Sequence, residues 1–213
     1  MVSDKELLKD FILERDHPCV MSQSIVSSGN YRLQTYKNLG TEATARNLLE
    51  DLRTYLDQYD FESNDFFSFI AVFEEPQPMS ELEFEQLLWK QLQLAYNLDS
   101  SEWDREVSED PKSSSFSFSL LGNAFYIVGM HPNSSRTARR SPKPIMVFNL
   151  HWQFERLRKM GAYNRLRNTI RQRDIRKNGS VNPMLVDFGK SSEAKQYSGR
   201  AVGPDWECPF KPK

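Results

Sequence analysis

Leu7, Leu8, Phe11 and Ile12 recur at helical spacing behind Ser3-Asp4-Lys5-Glu6, where a serine and a glutamate three positions on can satisfy each other's backbone N–H groups. This predicts a first helix to about Arg15, stopped by Asp16-His17-Pro18 because proline disfavours helical geometry in the residue before it. The following CVMSQSIVSSGN is short of charge and rich in small residues, and predicts buried or semi-buried loop and strand. Residues 31–37 alternate Tyr31, Leu33 and Thr35 against Arg32, Gln34 and Tyr36, a strand pattern. Thr41 can cap a second helix over TEATARNLLEDLRTYLDQY, with Ala45, Leu48, Leu49, Leu52 and Leu56 on one face. Residues 66–73, FFSFIAVF, read as a central strand ended by Glu-Glu-Pro-Gln-Pro. A second capping box, Ser80-Glu81-Leu82-Glu83, opens a helix through Tyr96 whose apolar face carries Phe84, Leu87, Leu88, Leu92 and Ala95.

After a polar connection over 99–115, SFSFSLLGNAFYIVGM predicts a β-hairpin turning at Gly122-Asn123. Residues 144–150, PIMVFNL, form a further strand, and helices are predicted over 153–160 and 164–177 with Gly161 between them. From 178 onward Gly, Ser, Pro, Lys and Asn predict a mostly irregular tail. Helices alternating with strand pairs imply an α+β fold: one domain over 1–213, with a central mixed or mostly antiparallel sheet flanked by helices.

Composition adds class and compartment. With 38% hydrophobic and 27% charged residues the chain is globular, and no run approaches the eighteen apolar residues of a membrane span. The charged N-terminus lacks a signal-peptide core, so a cytoplasmic location is expected, with Cys19 and Cys208 as free thiols. The net charge of −1 conceals segregation: cations crowd 136–177, where Glu155 and Asp174 are the only acids, whereas 42–110 is acidic. Either the two regions pair within the fold or the basic one binds an anionic ligand, nucleic acid included. The basic helix over 164–177 carries no interleaved aromatic platform, which argues against single-stranded nucleic acid.

Candidate chemistry centres on few residues. No HExxH, CxxC, GxSxG or glycine-rich phosphate loop occurs. His131 and His151 fall at the C-terminal ends of predicted strands, where side chains converge on a crevice. Arg136, Arg139 and Arg140 lie in a proline-rich loop, where guanidinium forks suit carboxylates or phosphates. The cysteines are either small buried residues or thiolate ligands.

Several ordered motifs, among them Pro18-Cys19, Ala124-Phe125-Tyr126-Ile127-Val128-Gly129-Met130-His131-Pro132, Ser134-Ser135-Arg136, Val147-Phe148-Asn149-Leu150-His151, Asp187-Phe188-Gly189, Gln196-Tyr197-Ser198-Gly199-Arg200 and Trp206-Glu207-Cys208-Pro209-Phe210, resemble the YqcI/YcgG family over nearly the whole chain. The resemblance extends to its haem-dependent pre-guanitoxin N-hydroxylase branch. It implies a haem b monooxygenase that N-hydroxylates a guanidine or amine nitrogen of an arginine-like small molecule, using O₂ and an external electron donor or reductase, since no flavin or nicotinamide motif is visible. On that reading His151, anchored between strand and helix, is the expected iron ligand, with His131, Cys19 and Cys208 as alternatives. His131 could instead sit opposite it, Arg136, Arg139 and Arg140 would hold the propionates, and Glu155, Asp187 and Glu193 would supply carboxylates for the substrate. A non-catalytic haem-binding or haem-sensing protein and a basic nucleic-acid-binding module are the alternatives.

Overall fold

Both capping boxes form. Ser3 Oγ accepts the Glu6 N–H while the Glu6 carboxylate accepts the Ser3 N–H, and Ser80 and Glu83 make the same exchange. The computed structural model describes residues 2–63, 65–76, 79–184, 186–187 and 189–213. The expected Gln-Pro end of the 66–73 strand signal, and Phe188 of the Asp-Phe-Gly motif, lie outside the described residues.

Helix α1 (Asp4–Lys9) continues into a wider π-type turn (Asp10–Glu14), so the first predicted helix is present with its last part underwound. The segment expected as loop and strand is instead helix α2 (Val20–Ser28). Its serines are only mildly unfavourable in a helix, and burial of Ile25 and Val26 outweighs them. Gly29, at φ +73°, terminates it in the left-handed conformation that glycine adopts without strain. Strand β1 (Tyr31–Asn38), helix α3 (Glu42–Asp57), strand β2 (Ser68–Glu75) and helix α4 (Glu81–Leu98) follow as predicted.

The hairpin of β3 (Phe118–Leu120) and β4 (Asn123–Met130) turns at Leu121-Gly122, one residue earlier than expected. Leu121 takes φ +55°, and its N–H is gripped by Asp99 Oδ2 at 2.6 Å. Strand β5 (Ile145–Leu150) runs directly into α5 (His151–Lys159), then α6 (Tyr163–Asn178), and a short α7 (Ala194–Tyr197) interrupts the tail.

The five strands form one sheet in the order β1-β2-β5-β4-β3, with β1 parallel to β2 and the remaining pairs antiparallel, the α+β architecture expected. Alternation divides its residues between two faces. Phe69, Phe73, Phe125, Ile127, Met146 and Phe148 point to α3 and α4 and make the main core. Ile70, Val72, Met130 and Ile145 meet Leu8, Phe11, Ile12 and Val26 in a smaller cluster on the opposite face. At Gly129 the crowding is extreme: an added Cβ would lie 2.7 Å from the Tyr197 carbonyl oxygen and 2.6 Å from Leu88. The absence of a side chain there lets the tail lie against β4.

Candidate functional site

The smaller cluster does not fill its face of the sheet. Beside it, under α2, α5 and α6, lies a cavity of about 310 Å³, within the range of small-molecule sites. Its floor is the sheet: Ser68, Ile70, Tyr126, Val128, Val147 and Asn149. Leu166 and Ile170 of α6 line it as well, while Ile175 of the same helix is exposed.

The His-Pro-Cys turn positions one wall. His17 Nε2 lies 2.8 Å from the Ala138 carbonyl, and its Nδ1 accepts the Cys19 N–H at 3.2 Å, so the ring is a neutral clamp between two segments. Burial lowers its pKa to about 4. Cys19 then begins α2 as its N-cap residue and lines the cavity, with Tyr126 and Arg139 as electrostatic neighbours. In the sequence His17 stands within a helix stop, and its adjacency to Pro18 and Cys19 is the one local sign of this further role.

Of the residues expected at a site, Cys19, Arg136, Arg139, Asp187 and Glu193 line the cavity, and His131, His151, Arg140, Glu155 and Cys208 do not. His131 leaves the end of β4 on the other side, stacked on Phe84 at 4.7 Å, and its Nδ1 has no hydrogen-bond partner among the described residues. Cys208 packs against the main core, where burial pushes its thiol up to about 12. His151 is buried at the start of α5, with Nε2 3.4 Å from Glu155 Oε1 and Nδ1 3.9 Å from Glu193 Oε1.

The arginine loop is largely satisfied by protein atoms. Arg139 is buried and donates to the carbonyls of Gly129 at 2.8 Å and Gln196 at 3.3 Å, tying β4 to the tail. Arg136 donates to Asp174 Oδ2 and to the Ser180 carbonyl, both at 2.7 Å, and Arg140 donates to the carbonyls of Ser134 and Ser135. Further along the basic region, Arg158 pairs with Glu155, Arg173 with Asp16, and Arg167 with Asp187 at 2.7 Å. Arg136, Arg158, Arg167 and Arg173 thus pair with Asp174, Glu155, Asp187 and Asp16, acids of the basic region itself or of the terminal segments.

The carboxylates of the wall differ sharply. Asp187 bonds Arg167 and lies 3.5 Å from Arg171, and Asp174 is held by Arg136 and by the side-chain amide of Asn178 at 2.8 Å. Glu193 is buried beside Tyr197, whose hydroxyl lies 3.4 Å from Oε2, and beside Ser117. Burial raises its pKa to about 8, with only a partial offset from Ser117, Tyr197 and Arg158, so Glu193 is largely protonated at neutral pH. No group of three or more His, Cys, Asp or Glu side chains converges as a metal-ion site among the described residues, and no described helix is long and apolar enough to cross a membrane.

The chain is 25% identical over 206 residues to YcgG of Bacillus subtilis strain 168, covering 91% of this chain and 80% of that protein. It is 24% identical over 207 residues to YqcI of the same organism, covering 92% and 81% respectively; both relatives are described as uncharacterized. No solved structure matches. The family model of the YqcI/YcgG family matches residues 8–211, from α1 to the last residues of the tail, and the chain therefore belongs to that family.

Proposed function

We propose that this protein is a haem-dependent monooxygenase that hydroxylates a guanidine or amine nitrogen, with the reaction housed in the cavity between the sheet and α2, α5 and α6. The observation that carries the reading is the placement of Cys19, at the start of α2, in the lining of a mainly apolar cavity that also takes in carboxylates and guanidinium groups. The residues fit a haem: it needs one protein ligand, an apolar enclosure and cations near its propionates. Cys19 would be that ligand, in preference to His151, because Cys19 lines the cavity and His151 and His131 do not. Ile70, Val128, Val147 and Ile170 would enclose the ring, and Arg158 and Arg171 are the cavity arginines suited to propionates. When bound, a thiolate-ligated haem supplies O₂ activation that favours O–O cleavage.

The balance of the reaction is fixed by its chemistry. One oxygen atom enters the substrate N–H bond, the other leaves as water, and two electrons and two protons are consumed. The electrons come from an external donor. The chain's own part is to orient the nitrogen and exclude water. Asp187 already binds planar guanidinium groups, and a substrate guanidinium would displace the looser of them, Arg171 at 3.5 Å.

The test is spectroscopic. Protein expressed with haem should bind it in stoichiometric amount, and its ferrous–CO Soret band should be strongly red-shifted, as thiolate ligation requires. Cys19→Ser should lose that shift while His131→Ala and His151→Ala keep it. A protein that takes up no haem would overturn the proposal, and loss of the haem only in His151→Ala would return the ligand to histidine.

A further inference from the structure

Three side chains stand in line between solvent and the cavity wall. The Glu155 side chain is 40% exposed, the His151 imidazole and the Glu193 carboxyl are buried, and Glu193 lines the cavity. Glu155 Oε1 lies 3.4 Å from His151 Nε2, and Glu193 Oε1 lies 3.9 Å from His151 Nδ1. The first spacing is set by α5, on which positions 151 and 155 are four apart and share a face. The second is set by the tail, which brings Glu193 to the cavity just before α7.

We propose that Glu155, His151 and Glu193 form a proton relay from solvent into the cavity. It serves the oxidation proposed above, which consumes protons at a site enclosed by apolar side chains. Each transfer balances without electrons. Glu155, protonated by solvent, gives its proton to Nε2 of the Nδ1–H tautomer. Glu193, protonated at rest, has by then given its O–H proton to the acceptor in the cavity, so the ring releases its Nδ1 proton to the carboxylate left behind, and between turnovers the ring exchanges back to the Nδ1–H tautomer. The 3.9 Å separation is longer than a hydrogen bond and must shorten for transfer, and such contacts are commonly loose before substrate binds.

The electrostatics suit this use. Around His151 stand Glu155 and Asp104, which favour its charged form, and Arg158, which opposes it, while burial dominates and keeps the ring neutral at rest. Around Glu193 stand Ser117, Tyr197, Arg158 and Glu155, and burial again dominates, holding the proton on the carboxyl into the neutral range. Purely structural hydrogen bonding at these positions would be met by a glutamine without the cost of desolvating a carboxyl.

The experiment uses full-length protein without cofactor, so it does not depend on haem uptake. The carboxylic C=O infrared band that disappears in Glu193→Gln reports the Glu193 proton, and its exchange is followed after a rapid pH jump. His151→Phe should slow that exchange by about 100-fold, the low end for removing a positioned acid–base group. Glu155→Gln, at a partly exposed position that tolerates the change, should slow it as well; His151→Gln, which keeps a polar group in the buried site, replaces the Phe variant if that variant does not fold. Equal exchange rates in wild type and both folded variants would overturn the relay, as would the absence of a protonated Glu193 band at neutral pH. Neither outcome bears on haem binding, and a protein that takes up no haem would sink the oxygenase reading while leaving the relay standing.

Discussion

Two buried groups tilt the pH dependence of stability in opposite directions. His17 is lowered to about 4 by burial, so between pH 4 and its ordinary 6.5 the unfolded chain binds a proton that the folded one refuses. The stability linked to neutral His17 is complete above 6.5 and is lost as pH falls towards 4. Glu193 behaves inversely. Raised from 4.5 to about 8, it keeps its proton in the folded protein while the unfolded chain releases it, so this term costs nothing below 4.5 and grows until about pH 8. Glu193→Gln removes the ionisable group and nearly keeps its shape. Its melting temperature should match wild type near pH 4.5 and exceed it by at least about 3 °C above pH 8, the shift expected for ~1 kcal/mol in a chain of this size. Thermal melts across that range check it. Neither residue's behaviour was legible in the sequence, because a titratable group reads the same buried or exposed until its neighbours are known.

At the scale of elements, α4 does more than its apolar stripe suggests. Glu85 falls on its buried side and accepts the Ser198 hydroxyl at 2.9 Å, both Arg200 contacts (Nε at 3.1 Å, Nη2 at 2.7 Å) and the Trp206 indole N–H at 3.2 Å. It fastens the irregular tail to the core. Glu85→Ala should therefore destabilise the protein by about 3–5 kcal/mol, because Arg200 loses its buried partner, and should raise amide exchange across 194–210 in particular. Urea denaturation and hydrogen exchange measure the two effects. The amphipathic pattern predicted α4 but not this latch, since a lone glutamate among Glu81, Glu83 and Glu85 carries no mark of its burial. Helix α2 illustrates the converse: its serine-rich sequence holds little intrinsic preference, and packing against the sheet chooses helix.

For the whole molecule, the tail is part of the fold. Tyr197 stacks on Trp89 at 5.6 Å, and Phe210 sits among Tyr96, Trp103, Phe116 and Phe118. A chain ending at Ser192 would leave those core surfaces uncovered and remove the partner of Arg139 at Gln196. It should lose cooperative thermal unfolding and expose hydrophobic surface to a fluorescent probe, whereas removal of Lys211, Pro212 and Lys213 alone should change the melt little. Composition predicted only an irregular segment here, and irregular it mostly is. Its burial depends on aromatic residues spaced too widely for any periodicity to show.

Residue order alone specifies the elements whose information is local: two capping boxes, the faces of α3 and α4, the strands rich in aromatic and β-branched residues, and the α+β class that follows from their order. Cysteine, arginine and carboxylate candidates were also visible, because residue type is explicit. Which of them meet is a matter of tertiary packing. It gathered Cys19, Asp187 and Glu193 around one cavity, left His131 across the sheet and Cys208 in the main core, and bound most of the arginine loop to the protein's own carbonyls and acids. The reason is physical. Helix caps and periodic faces are settled within a few residues, whereas a site joins positions more than 100 residues apart, and their meeting depends on strand register and on which face of the sheet each side chain takes.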